Sequence, residues 1–270
     1  MQLIHGDCLD ILPQLHDKSL DMVFCDLPYN TTDCVWDCPI DLTWLFSEYY
    51  RLLKKNGVIC LTASQPFTSK LVYEHQSSFK VEWIWKKNAG SNFGTVKYQP
   101  MKEHESILIF SNGGGKVTYN PQMQQRAESG LSRVRSGVVN YNTEAEVYGN
   151  GGLVGSKGVS SSRPDERYPS SVQYWNRERG LHSTQKPVNM MEYFIKTYSN
   201  EGETVLDNCM GSGSTGIACI NTKRRFIGIE KDDKYFEIAK NRIEELLKWM
   251  FVLLTQTKNV VHSLQKKTIL

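Results

Sequence analysis

Three apolar runs of strand length in this chain each lead directly into a carboxylate. Leu20 to Cys25 leads to Asp26, Thr204 to Leu206 leads to Asp207, and Arg225 to Ile229 leads to Glu230. Short runs of this kind, separated by helical patterns, read as strands of a buried parallel sheet. Open sheets of that type bind ligands at the carboxyl ends of their strands. The pattern therefore predicts an α/β, doubly wound, mostly parallel fold with acids where a ligand would sit.

The chain divides into zones. Residues 1–111 keep the strand-helix alternation. Leu42 to Lys55 carries apolar residues at helical spacing and is stopped by Asn56-Gly57. Val58 to Leu61, Val81 to Trp85 and Ser106 to Phe110 read as further strands, with a helical stretch from Gln65 to Glu74. Residues 112–180 are rich in Gly, Ser, Asn, Arg and Tyr and show little periodicity. Arginines such as Arg126, Arg133, Arg163 and Arg177 thread through them. That composition suits a solvated insertion, and equally a surface for phosphates and bases. Residues 181–248 return to the alternation, with helices over Met190 to Tyr198, Gly216 to Asn221 and Asp232 to Lys248. Residues 249–270 fit neither pattern and are expected to be a C-terminal extension.

Composition removes several classes. Hydrophobic residues at 40% and charged residues at 23% exclude wholesale disorder. No apolar run approaches the roughly 18 residues of a membrane span. Met1 to Asp7 lacks a basic region and an apolar region, so no signal peptide is expected. Cys25, Cys60 and Cys219 lie among apolar neighbours and read as small core residues. Cys34 and Cys38 have no second Cys/His pair at zinc spacing, so no metal is expected. A reducing, cytoplasmic setting follows. The net charge of +3 neither demands nor excludes nucleic acid.

Two segments carry chemistry. From Asp207 to Gly216 a strand runs into a turn with glycines at 211, 213 and 216, which opens a helix. Such glycines let backbone approach a ligand closely. The next strand ends in Glu230, at the distance where an acid suits a ribose hydroxyl pair. No Lys follows the glycines as in a phosphate-binding loop, so a nucleoside without a triphosphate is favoured. Asp26-Leu27-Pro28-Tyr29 is the second segment. Pro28 holds Leu27 extended, which fixes the direction of its carbonyl. That carbonyl and Asp26 are adjacent acceptors for the two N–H donors of an exocyclic amine. Tyr29 offers a flat face to a planar base. Taken singly, a G-x-G is also a structural turn and an Asp-x-Pro an ordinary one.

As a set, these segments resemble the S-adenosylmethionine-dependent amino-group DNA methyltransferases. Asp26-Leu27-Pro28-Tyr29 is similar to their D-P-P-Y signature, and Asp207 to Gly213 to their D-x-F-x-G-S-G loop. His182-Ser183-Thr184-Gln185-Lys186-Pro187 resembles H-P-T-Q-K-P, and Gly6 to Leu12 resembles G-D-x-L-x-x-L. The order, catalytic motif before cofactor loop, is the permuted β-type arrangement. The resemblance covers roughly residues 1–110 and 180–246. Leu27 replaces the first Pro, Asn208-Cys209 replaces Pro-Phe, and Ser183 stands where Pro is common.

The resemblance implies a seven-stranded-type methyltransferase sheet. Its catalytic half is 1–111, its inserted target-recognition region 112–180 and its cofactor half 181–248. It implies S-adenosyl-L-methionine held by Asp207, Asn208, Gly211 and Gly213, with Glu230 on the ribose, Asp7 near the adenine and Lys186 walling the pocket. Asp7 also reads as a turn acid capping a helix, and Lys186 as a solvated lysine. Asp26, Leu27, Pro28 and Tyr29 would clamp an everted base in double-stranded DNA. An acid at the first motif position favours adenine N6 over cytosine N4. An RNA amino-group methyltransferase and a non-catalytic nucleic-acid-binding module are the remaining readings. A dehydrogenase would need an early pyrophosphate-binding G-x-G-x-x-G, which residues 1–30 lack. Dimerisation is common in the permuted group, and any restriction endonuclease would be a separate chain.

Overall fold

The computed structural model describes residues 1–29, 40–113, 115–129, 131, 165–178, 180 and 185–267, with side chains left aside at 254 and 256–267. Cys34, Cys38, His182, Ser183, Thr184 and several arginines of the middle zone lie outside the described residues. The chain forms two compact units, one of residues 1–120 and 171–270, the other of 121–170.

The larger unit is built on one eight-stranded sheet. Its strands are β1 (Gln2–His5), β2 (Leu20–Cys25), β3 (Leu53–Ala63), β4 (Phe79–Ser91), β5 (Lys102–Ser111), β8 (Val172–Tyr174), β9 (Thr204–Asp207) and β10 (Arg225–Glu230), in the spatial order β1-β10-β9-β2-β3-β5-β4-β8. The pairings from β1 through to β3 are parallel. β5 runs antiparallel to both β3 and β4. The sheet has one strand more than the seven expected, because Val172–Tyr174, assigned to the insertion from composition, pairs in parallel with β4.

Alternation along the strands makes the sheet doubly wound. Val23 and Cys25 face one core with Ile59, Leu61, Leu108 and Phe110. Met22 and Phe24 face the other with Val58, Cys60, Ile107 and Ile109. The first core is closed by α1 (Cys8–Ile11), α2 (Leu42–Leu52) and α3 (Phe67–Glu74). The second is closed by α4 (Val188–Tyr198), α5 (Ser214–Asn221) and α6 (Asp233–Lys267). Helix α2 shows how local sequence sets an element. Asp41 caps it by accepting from the Thr43 and Trp44 N–H groups. Leu45, Phe46, Tyr49 and Leu52 then bury one face. Each such side chain contributes about 1.5–3 kcal/mol on burial.

The helix ends at Leu52, not at Lys55. Leu53 pairs with Leu20 and opens β3, so tertiary strand pairing overrides the helical spacing. Helix α6 continues without a break from Asp233 through Trp249 to Lys267, so the C-terminal residues prolong the last helix. Among the described residues no helix is long and apolar enough to cross a membrane.

The smaller unit contains β6 (Gln124–Gln125) and β7 (Glu166–Arg167), paired antiparallel. The Arg126 N–H extends the pairing to the Asp165 carbonyl at 2.8 Å, and Gln124 Oε1 accepts from the Ser170 N–H at 3.3 Å.

Candidate active site

Four neighbouring parallel strands each deliver an acid at the same edge of the sheet. Asp7 follows β1, Glu230 ends β10, Asp207 ends β9 and Asp26 follows β2. All four line one cavity of about 520 Å³. That volume lies within the range of small-molecule sites.

Around Asp207, Glu230 and Asp7 the acids are met by neutral donors. Asp207 is 3% exposed. Its oxygens accept from the Cys209 N–H at 3.1 Å and the Thr215 hydroxyl at 2.5 Å. Burial outweighs these bonds and raises its carboxyl to about 7. Glu230 accepts from the N–H groups of Gly211 at 2.8 Å and Asp232 at 2.9 Å. Asp7 caps α1 through the Leu9 N–H at 3.0 Å. Gly211 adopts φ +51°, and a Cβ there would meet nothing within 4 Å, so its backbone faces open space.

Around Asp26 the acids are paired with cations. Tyr29 donates its hydroxyl to Asp26 Oδ1 at 2.7 Å, and Thr62 donates to the same oxygen. Lys186 reaches the other oxygen, Oδ2, at 2.5 Å. The same ammonium lies 3.5 Å from Glu105, which is paired with Lys87 at 2.5 Å. Burial pulls the Lys186 pKa down, but the carboxylates of Asp26 and Glu105 outweigh it and the net shift is upward. The Tyr29 phenol is pushed well above its usual value by burial, then by Asp26 and Glu105. Its ring stacks on Phe67, with centroids 5.2 Å apart.

A family model for DNA methylases, N6_N4_Mtase, matches residues 20–241. The chain belongs to this N6/N4 DNA methylase family. It is 30% identical over 257 residues to the type II methyltransferase M.HpaI of Haemophilus parainfluenzae, covering 90% of this chain and 74% of that protein. It is 27% identical to the DNA adenine methyltransferase YhdJ of Escherichia coli (strain K12), covering 90% of this chain and 82% of the relative. The solved structure of the M1.HpyAVI–SAM complex shares the fold, with TM-score 0.59, 24% identity, and coverage of 89% of this chain and 98% of that one.

In this DNA methylase, Asp26, Leu27, Pro28 and Tyr29 line the same cavity as Asp7, Lys186, Asp207, Asn208, Gly211 and Glu230. The structure adds detail at three of the expected site residues. Gly213 stands behind the turn: it caps α5 at φ +79°, and an added Cβ would lie 2.9 Å from Ala239 Cβ. Its missing side chain serves helix packing. Asn208 is 2% exposed, and its Oδ1 accepts from the Tyr49 hydroxyl at 2.6 Å, which ties the loop to α2. Lys186 walls the cavity as expected and is not solvated: it is 5% exposed and pairs with Asp26. Sequence reasoning missed Thr62, Glu105 and Lys87, polar residues inside strands that no local motif marks.

The thiols of Cys25, Cys60 and Cys219 are not reactive groups. Cys25, Cys60 and Cys219 are buried, and burial raises the thiol of Cys25 to about 12 and those of Cys60 and Cys219 well above the usual value. Thiolate, the nucleophilic form, is disfavoured at all three.

Proposed function

We propose that this chain transfers the methyl group of S-adenosyl-L-methionine to the N6 amine of adenine in double-stranded DNA. The observation that carries the reading is the shared cavity. Asp26 and Tyr29, near the start of the chain, line it together with Asp207, Gly211 and Glu230, almost two hundred residues on. The relatives named above include a DNA adenine methyltransferase, and the acid at position 26 favours adenine over cytosine.

The residues present fit the cofactor. The open space over Gly211 receives backbone-adjacent ligand atoms. Asp207, Glu230 and Asp7 form an anionic wall with no ion-pair partner among the described residues, which suits a ligand bearing sulfonium and ammonium charges. Glu230 would hold the ribose hydroxyls, Asp207 and the Gly211 backbone the amino-acid end, and Asp7 the adenine side. When bound, S-adenosylmethionine supplies an electrophilic methyl group on sulfur.

The chain's own residues then act on the amine. An exocyclic amine conjugated to a purine is a weak nucleophile. Asp26 and the Leu27 carbonyl accept its two N–H bonds, which favours a pyramidal nitrogen with a localised lone pair as the transition state is approached. Tyr29 and Thr62 fix the Asp26 carboxylate by donating to Oδ1. Holding amine and methyl in line supplies much of the remaining acceleration. In a duplex the base must first be everted, which costs about a few kcal/mol, offset in part by stacking on Tyr29.

Reading of sequence is assigned to the 112–180 segment, where Arg suits guanine and Asn or Gln suits adenine. Cytoplasmic action, a homodimer and a separately encoded restriction endonuclease complete the reading, and sedimentation of the purified protein tests the dimer. The function is tested with labelled cofactor and random duplex DNA, followed by digestion to nucleosides. Label in N6-methyladenine is expected. Label in cytosine overturns the base assignment, and label only in an RNA acceptor overturns the substrate class.

A further inference from the structure

The Asp26 side of the cavity contains a problem that the proposed function does not solve. An incoming amine needs Asp26 as an acceptor, yet both carboxylate oxygens are engaged. Oδ1 takes the Tyr29 and Thr62 hydroxyls, and Oδ2 takes the Lys186 ammonium at 2.5 Å. The hydroxyls come from a neighbouring residue and the adjacent strand, so they stay when a ligand enters. The ammonium sits on a long, flexible stem and can leave.

A buried ammonium leaves one carboxylate only if another receives it. Glu105 is that receiver. It sits on β5 opposite Trp85 of β4 and lines the same cavity. Its Oε1 is taken by Lys87 at 2.5 Å. Its Oε2 is buried and has no hydrogen-bond partner among the described residues. That oxygen lies 3.5 Å from Lys186 Nζ, beyond good hydrogen-bond length but one small side-chain movement away. An unsatisfied buried carboxylate oxygen is costly, and its retention in a site is explained if another state of that site uses it.

We propose that Glu105 is a positioning residue for the methyl transfer: it receives the Lys186 ammonium when the target amine takes Asp26. The movement transfers a hydrogen bond and leaves both protonation states unchanged. Lys87, held over Trp85 at 5.0 Å, keeps Oε1 occupied so that Oε2 alone is offered. The site thus has two settings. With no amine, Lys186 closes Asp26. With an amine, Lys186 rests on Glu105, and Asp26 is free to accept. This inference rests on the amino-group methyltransferase reading, and wild-type methyl transfer to DNA tests that reading separately.

The experiment is a double-mutant cycle with E105Q, K186M and the double variant, scored by methyl-transfer kinetics on the duplex that the wild type methylates. Calorimetric titration of the cofactor accompanies each protein. E105Q removes the receiving charge, so Lys186 stays on Asp26 and the amine must compete with it. We expect kcat/KM for DNA to fall about tenfold, carried by KM for DNA, with cofactor affinity unchanged. In the K186M background the same substitution should cost less than about twofold, because there is no ammonium to receive. Equal losses in the two backgrounds would mean that Glu105 acts only by holding Lys87 or the strand, and would overturn the proposal. A loss carried by cofactor affinity would overturn it too. If K186M turns over too slowly to measure, binding replaces kinetics, using duplexes with adenine or unsubstituted purine at the target. E105Q should weaken adenine binding and spare purine binding, and loss of both alike sinks the idea.

Discussion

The two halves of the cavity hold their acids by opposite means. At β1, β10 and β9, the carboxylates of Asp7, Glu230 and Asp207 are fixed by backbone N–H groups and a hydroxyl, with no cation pairing among the described residues. At β2 and β5, Asp26 and Glu105 alternate with Lys186 and Lys87. Neutral donors orient a carboxylate without cancelling its charge, so the first half keeps a negative potential. The second half is close to electrically balanced. A cationic ligand is attracted to the first, whereas an uncharged aromatic amine is accepted by the second without a large charge penalty. The contrast separates donor from acceptor in one cavity before either arrives.

The sharpest way to break this division is at Asp26. Replacing it with Asn removes the anionic acceptor and turns one carboxylate oxygen into a donor aimed at the amine. Methyl transfer should fall by about a thousandfold, as expected for loss of an aligned electrostatic contact in a closed site. Cofactor affinity should stay within about threefold of wild type, because the other three acids are untouched. Single-turnover rates and calorimetric titration read the two effects separately. A matching collapse of cofactor binding would show that the halves are not independent.

Glu230→Gln probes the other half. It removes a charge that two N–H groups orient, so cofactor affinity should fall about 10- to 100-fold, the 1.5–3 kcal/mol range of a charge-assisted hydrogen bond. The rate at saturating cofactor should change little. A rate loss with unchanged affinity would contradict the assignment of charge to binding in that half.

Asp207 adds a pH signature. Burial raises its carboxyl to about 7, and a bound cation favours the ionised form. Wild-type cofactor affinity should therefore be constant above pH 7 and weaken severalfold as the pH is lowered toward 5, with proton release on binding. Asp207→Asn should bind more weakly at pH 8 and lose most of that slope. Titrations in buffers of different ionisation enthalpy count the protons.

The donor half was the more legible in the sequence, for a physical reason. Its groups lie on consecutive stretches: strand, acid, glycine turn, helix, strand, acid. Each link carries a local signal in periodicity or backbone freedom. The acceptor half is assembled from β2, β3, β4, β5 and the segment before α4, so only Asp26 to Tyr29 carried a motif. Thr62 lies between Leu61 and Ala63 and Glu105 between His104 and Ser106, with no motif around either, and Lys87 and Lys186 meet Glu105 and Asp26 only once the chain is folded. Gly213 shows the converse. Its turn was legible, but its packing against Ala239 of α6 requires knowing where α6 lies. The end of α2 was misplaced because Leu53 fits a helical face and a strand equally well, and pairing with Leu20 decides between them. β1 carried too little pattern in four residues to be read as a strand.

The smallest expected effect separates binding from stability in the donor half. Asp207 has a folded-state pKa near 7 against 3.8 for the ordinary group, so its ionisation opposes folding. Its favourable contribution is complete below about pH 4 and is lost as the pH rises through 7. Asp207→Asn keeps an acceptor for the Cys209 N–H and presents a donor to Thr215, without the buried charge. The cofactor-free variant should therefore be more stable than wild type at pH 8 by about 1 kcal/mol, with the hydrogen bonds offsetting part of the burial penalty. The difference should disappear below pH 4. Denaturant midpoints measured across that range check both the sign and the window. A variant that is less stable at pH 8 would mean that the bonds to Cys209 and Thr215 outweigh the cost of burying the charge, and that the donor half holds its acids without strain.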